Sequence, residues 1–406
     1  MDGRPIKVSD WTEEDHGTVE DAWRSLCAAD PGSVHDRLVR LLRTVPGRTA
    51  KVTPKQIRVT QSSSERERLY NEHTCQKRGG GVRKISAPEH PIKFLQQLFL
   101  KVCTSLFPRH KCAHGFEPGR SPVTHASNHV RKKWVWTIDI KDFFPSIHWG
   151  RVQGMFRVYP FEAPDAVAQA LANLTTYDGA LPQGAPTSPI LSNLLCRKLD
   201  SRLFQWARAN GYTYTRYADD LTFSTNHSSF PTEDKAFIKE IVEDEGFQVH
   251  PEKERLMPDY GRQMVTGLVV NEKVNVPREF TSGLRALLHN VEEHGWKSQV
   301  ARQEWLFDDW DEWEQYRDQE MTASEFQYFD NQQGKKHLLV RPSAVMSKVK
   351  GLVRKSRDAN GERKSKYFAR AINTFKDAVE GKINYLGQVK GKRDSKYKKL
   401  KNGLDT

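Results

Sequence analysis

Tyr212-Thr213-Tyr214-Thr215-Arg216-Tyr217-Ala218-Asp219-Asp220-Leu221-Thr222-Phe223-Ser224 is the stretch on which the reading of this chain turns. Two β-rich runs flank Ala218-Asp219-Asp220, which predicts a hairpin with adjacent carboxylates at its turn. Alone, such a pair is an ordinary turn former, because Asp hydrogen-bonds its own backbone there. Its neighbours in sequence change that reading. Trp134-Val135-Trp136-Thr137-Ile138-Asp139-Ile140 alternates like a strand and carries Asp139 near its end, with Phe143-Phe144 just after.

If these strands neighbour each other in an antiparallel sheet, Asp139, Asp219 and Asp220 converge. Crowded carboxylates repel and raise one another's pKa. They become favourable around hard divalent cations, and Mg²⁺ takes carboxylate and phosphate oxygens. Two Mg²⁺ ions ~3.5–4 Å apart can activate an attacking 3′-hydroxyl and stabilise a leaving pyrophosphate.

Two further segments extend the set. In Leu181-Pro182-Gln183-Gly184-Ala185-Pro186, Gly184 and Ala185 allow close backbone approach to a substrate, and Gln183 offers donors and acceptors. The prolines hold the loop shape. Lys77-Arg78-Gly79-Gly80-Gly81-Val82-Arg83-Lys84 looks like a hairpin with a flexible basic tip, and Arg83 and Lys84 there suit contact with a triphosphate. Each fragment is weak alone, and the ordered set is not.

The chain has 406 residues, enough for two or three domains. No window approaches the ~20 unbroken apolar residues of a membrane span, and the N-terminus lacks the apolar core of a signal peptide. The expectation is a cytoplasmic protein with no membrane partner. Five scattered cysteines without a CxxC pair argue against disulfides. His110-Lys111-Cys112-Ala113-His114 lacks a second ligand pair and makes a poor zinc candidate. The net charge of +13 favours a polyanionic partner.

Helical spacing marks residues 91–107, 123–133, 163–174, 188–209, 233–245 and 281–294, and Val265–Val270 reads as a short strand. Residues 296–345 are rich in Trp and acid, as at Trp305, Trp310 and Trp313. They read as an insert packing on the chain's own surface, in preference to a dock for a partner protein or a second copy.

In order, Arg83-x-Ile85, Asp139 with Phe143-Phe144, Leu181-Pro182-Gln183-Gly184, Tyr217-Ala218-Asp219-Asp220 and Lys253 resemble the successive motifs of a reverse transcriptase. His114-Gly115-Phe116 through Gly119-Arg120-Ser121 resembles its bacterial branch. Val265-Thr266-Gly267 resembles an element that marks retron reverse transcriptases, and Gly381 to Gly387 resembles the end of related bacterial enzymes. A second retron element, Asn-Ala-x-x-His, is met only in part by His125-Ala126-Ser127-Asn128-His129, which has His at its first position. The resemblance covers roughly residues 70–295.

The resemblance implies an α+β right-hand polymerase with fingers, palm (antiparallel sheet plus helices) and a mainly helical thumb. The expected divisions are a helical extension over 1–70, fingers over 71–135 with 160–190 contributing, palm over 136–275 and thumb over 276–406. It implies an RNA-directed DNA polymerase in which Asp139, Asp219, Asp220 and the Ile140 carbonyl hold two Mg²⁺ ions. Phe144 would be the steric gate against the ribose 2′-hydroxyl. Gln183 would touch the incoming dNTP, Arg83 and Lys84 its phosphates, and Lys253 would protonate leaving pyrophosphate.

Retron enzymes bind a cognate structured noncoding RNA, prime from an RNA 2′-hydroxyl to make branched single-stranded DNA, and often act with an effector protein in anti-phage defence. Expected RNA contacts are Val265, Thr266 and Gly267, then Arg278 and Arg285 on a thumb helix reading a minor groove. The basic end supplies Lys390, Lys392, Arg393, Lys398 and Lys399, with Tyr385 and Tyr397 interleaved for an RNA stem-loop. Another defence-associated or intron-derived reverse transcriptase is the alternative. A non-catalytic RNA-binding protein is disfavoured by the intact carboxylates and Gln183.

Overall fold

The computed structural model describes residues 7–46, 52–76, 82–301 and 362–404, with 349, 352 and 355. The chain divides into two compact units, Met1–Thr266 and Gly267–Thr406.

The first unit begins with helices Glu13–Cys27, Val34–Arg43 and Pro54–Gln61. Thr12 and Asp15 start the first of these as a reciprocal capping box, with the Asp15 N–H donating to Thr12 Oγ1 and the Thr12 N–H donating to the Asp15 carboxylate. Strands β1 (Tyr70–Gln76) and β2 (Val82–Pro88) then pair antiparallel, as the glycine-rich stretch between them predicts. The tip of that hairpin, 77–81, lies outside the described residues.

The centre of the unit is a four-stranded antiparallel sheet formed by β3 (Trp134–Asp139), β4 (Thr213–Tyr217), β5 (Asp220–Thr225) and β6 (Arg255–Pro258), in the order β4-β5-β3-β6. β5 is buried from Leu221 to Thr225, because it is an inner strand covered on both faces. Trp136, Phe223, Phe156 and Phe99 are among the side chains of one continuous core. Helix Arg197–Ala209 packs along β4.

Several boundaries differ from the sequence expectation. The helical run 188–209 is two helices, Ser188–Leu195 and Arg197–Ala209, parted at Cys196. The helix expected over 123–133 stops at Ser127. The strand expected over Val265–Val270 is broken, since Thr266 and Gly267 both take positive φ and turn the chain. β6 is an edge strand of only four residues, none of them buried, too little for an alternation to register in the sequence.

The second unit holds helices Arg278–Ala301, Glu362–Lys390 and Ser395–Asn402, the first kinked at Gly295. Leu284, Leu287, Leu288 and Val291 form the expected apolar stripe and are buried, as are Phe375, Val379, Ile383 and Leu386 of the second helix. Of the Trp/acid segment 296–345, residues 302–345, with Trp305, Trp310 and Trp313, lie outside the described residues. Among the described residues no helix is long and apolar enough to cross a membrane.

Candidate active site

The register of the sheet decides where the carboxylates meet. β3 and β5 align so that Asp139 stands directly opposite Asp220. β4 and β5 are joined at Tyr217↔Asp220, which leaves Ala218-Asp219 as a two-residue turn with Ala218 at φ +57°. The Ile140 N–H donates to the Asp219 carbonyl at 2.9 Å, and the His250 N–H to the Asp139 carbonyl at 2.8 Å. Asp139, Asp219 and Asp220 therefore share one end of the sheet.

Burial and repulsion from neighbouring carboxylates both oppose the charge of Asp219 and Asp220. Asp220 is pushed up to about 7 by burial and then by Asp219, with Thr222 Oγ1 donating to its carboxylate at 3.3 Å. Asp219 is raised by burial and then by Asp139. Lys253 Nζ sits 2.6 Å from Asp139 Oδ1 and offsets part of this charge. A sheet end that gathers three carboxylates against such costs fits a hard divalent cation, whose charge reverses both penalties.

A cleft of about 580 Å³ opens beside this cluster. Its walls include Arg83, Lys84, Asp139, Ile140, Phe144, Gln183, Asp219 and Lys253. Every residue expected at a nucleotide or metal site, apart from the half-buried Asp220, thus lines one cavity. The Gln183 loop is tied to β2, since the Ser86 N–H donates to the Gln183 carbonyl at 2.7 Å. Gly184 makes that approach possible. It lies at φ +128°, and a Cβ there would come within 3.0 Å of the Ser86 carbonyl oxygen. Arg83 is exposed in the cleft. Lys84 is paired with Glu72 at 2.7 Å and stands 3.7 Å from Asp178, so its ammonium is partly neutralised on the cleft wall.

The underside of the turn was not legible in sequence. Arg216 and Asp200 form a fully buried paired contact, Nε–Oδ1 2.8 Å and Nη2–Oδ2 2.6 Å. Arg216 Nη1 also donates to Asn193 Oδ1 at 3.0 Å and to the Ala218 carbonyl at 3.1 Å. Tyr214 OH donates to Asp200 at 3.0 Å. The carbonyl of the Asp-Asp turn is thereby anchored to two helices. An inward Arg on a buried strand was the available signal, and its partner lies on a different element.

The segment after Cys112 runs beside β4, with the His114 N–H donating to the Arg216 carbonyl at 2.7 Å. His110, Cys112 and Asp200 do meet, with ligand atoms within 4.8 Å of one another. Asp200 is already matched by Arg216, which leaves little charge there for a metal. His114 instead faces Thr124 at 3.0 Å. His114, His125 and His129 form a buried row beside Tyr217, and burial lowers His114 to about 4 and His125 to about 3.

Of the expected RNA contacts, Val265 is fully buried, which takes it out of reach of an RNA because its side chain packs into the core. Thr266 Oγ1 lies 3.4 Å from the Pro122 carbonyl. In the second unit, Arg285 and Lys399 line one cleft of about 810 Å³ together with His289 and Lys396. Arg278, Lys392, Arg393 and Lys398 are exposed, and Lys390 is largely covered beside Asp394.

Residues 75–283 match the family described as reverse transcriptase (RNA-dependent DNA polymerase). The retron Mx162 reverse transcriptase of Myxococcus xanthus is 40% identical over 253 residues, covering 54% of this chain and 52% of that protein. The retron Mx65 reverse transcriptase of the same organism is 42% identical over 243 residues, covering 55% and 56%. The retron Ec86 reverse transcriptase of Escherichia coli is 33% identical over 225 residues, covering 55% and 70%. The chain spans about half the length of the two Myxococcus relatives. Its matched region holds the whole carboxylate cleft, and the chain belongs to the reverse transcriptase family, in its retron-type branch.

Proposed function

We propose that this chain is an RNA-directed DNA polymerase that copies part of a cognate structured noncoding RNA into single-stranded DNA. The observation that carries this reading is the convergence of Asp139, Asp219 and Asp220 at one cleft with Arg83, Phe144, Gln183 and Lys253. The family uses divalent metal ions; here Asp139, Asp219, Asp220 and the Ile140 carbonyl are the groups for two Mg²⁺, which would supply charge to activate the 3′-hydroxyl and stabilise pyrophosphate.

The chain's own residues do the rest. The Arg83 guanidinium forms paired hydrogen bonds to a phosphate, and Lys84 adds charge from the adjacent wall. Gln183, fixed through its carbonyl to Ser86, presents its amide to the nucleotide. The Phe144 ring fills the space a 2′-hydroxyl needs. Lys253, beside Asp139, donates a proton to the departing pyrophosphate.

On this reading residues 71–135 with 160–190 act as fingers, 136–275 as palm and 276–406 as thumb, with 1–70 an N-terminal extension. Arg285 and Lys399, grouped with His289 and Lys396, grip RNA phosphates, aided by Arg278, Lys392, Arg393 and Lys398. Priming from an RNA 2′-hydroxyl, a cytoplasmic location and anti-phage defence with an effector complete the proposal by likeness to retron systems. The test is to purify the protein with its bound nucleic acid, add dNTPs and Mg²⁺, and sequence the product. DNA from the wild type and none from Asp219→Asn is expected, and the sequence reads whether the product is branched. No DNA from the wild type, or equal DNA from both, sinks the polymerase reading.

A further inference from the structure

Phe116 is a large apolar side chain left 46% exposed in a cleft whose walls mix charged, polar and apolar groups, Phe143 and Phe144 among the last. Its backbone lies at φ +62°. A bulky residue keeps that conformation only where its surroundings hold it.

The holding contacts lie on both sides of it. The Gly115 carbonyl accepts from Asn193 Nδ2 at 2.8 Å, and the same amide donates to Glu117 Oε1 at 2.8 Å. Glu117 is also paired with Arg109 at 3.0 Å. Gly115 packs so tightly on the Asp-Asp turn that an added Cβ would stand 2.6 Å from the Ala218 nitrogen. The loop is therefore locked to the catalytic turn. A ring with only a packing role would point inward from so firm a mount. This one faces the cleft, 6.2 Å between centroids from Phe144.

We propose that Phe116 is a specificity-determining residue whose ring, with that of Phe144, forms an apolar wall for the sugar of the incoming deoxynucleotide. The inference rests on the polymerase reading above. Neither ring can hydrogen-bond a 2′-hydroxyl, so a ribose pressed against them buries a polar group without a partner, whereas the C2′ methylene of deoxyribose gains apolar contact.

The full chain is assayed on oligo(dT) annealed to poly(rA), with dTTP or UTP as sole nucleotide and Mg²⁺. Phe116→Ala is expected to raise KM for dTTP about tenfold and to lower the preference for dTTP over UTP. kcat should stay within about twofold. Phe116→Tyr, which keeps the ring, should restore most of the dTTP affinity. Combined with Phe144→Ala, the loss should be smaller than the product of the single losses, because the two rings share one ligand surface.

Unchanged KM and preference in Phe116→Ala overturns the inference. So does a loss in kcat alone, a rise in KM for the poly(rA)–oligo(dT) duplex instead of dTTP, or a fall in melting temperature with the kinetics unmoved. A wild type that incorporates nothing brings down the polymerase reading itself, an outcome seen before any variant is made.

Discussion

Asp139 and Asp220 face each other as the last matched pair of the β3–β5 ladder, and the Asp219 carbonyl closes that end by accepting the Ile140 N–H. A one-residue slip in this register would turn one carboxylate to the opposite face of the sheet. The site is therefore a consequence of register, and its properties can be probed through the groups that hold it.

Asp220 makes the metal-free protein less stable as pH rises. Its folded value is near about 7 against an ordinary 3.8. Between these values the folded state binds more protons than the unfolded one, so stability present at low pH is lost as pH climbs through that window. Asp220→Asn should flatten this slope, raise the melting temperature by several degrees at about pH 8 without metal, and abolish DNA synthesis. Added Mg²⁺ should stabilise the wild type and leave the variant nearly unmoved. Scanning calorimetry across this pH range checks the sign, and a variant that melts below the wild type at the upper end contradicts it.

Phe144→Ala should raise UTP use relative to dTTP by about tenfold or more, since the obstacle to a 2′-hydroxyl is then gone. Single-nucleotide extension on poly(rA) measures it. Unaltered sugar preference would remove Phe144 from the gate.

Gly115→Ala places a Cβ 2.6 Å from the Ala218 nitrogen. The backbone there cannot yield without moving the Asp-Asp turn. DNA synthesis should drop about a hundredfold, the scale of an ångström displacement at a reacting centre. Circular dichroism should show a folded chain. Full activity would mean that the turn tolerates displacement.

Asp200→Asn removes half of a fully buried ion pair and leaves the Arg216 guanidinium without its counter-charge. The expected loss is about 3–5 kcal/mol, read from urea denaturation. Activity should also fall at temperatures where the variant is still folded, because Arg216 holds the Ala218 carbonyl. A variant as stable as the wild type would show that the pair is dispensable.

The chemical residues were legible in the sequence because they are local and of rare type. Alternation around Asp139, the two β-runs flanking Ala218-Asp219-Asp220, and the Pro and Gly around Gln183 each mark a short element, and the hairpin, strand and loop are present where these signals stand. Periodicity cannot see a break that keeps the helical phase, so the division at Cys196 was hidden. β6 was hidden too, because four residues show no period.

What the sequence by itself determined was the identity and order of the carboxylates, the Gln183 loop and the cations, because those follow from side-chain chemistry and nearest neighbours. Only the tertiary structure decided which groups meet. The pairing of Asp139 with Asp220, of Arg216 with Asp200, of Lys84 with Glu72, and the close packing of Gly115, beside Phe116, on Ala218 of the Asp-Asp turn join residues from 12 to 103 positions apart. Such contacts are fixed by sheet register and by the packing of helices on the sheet, which no local pattern encodes.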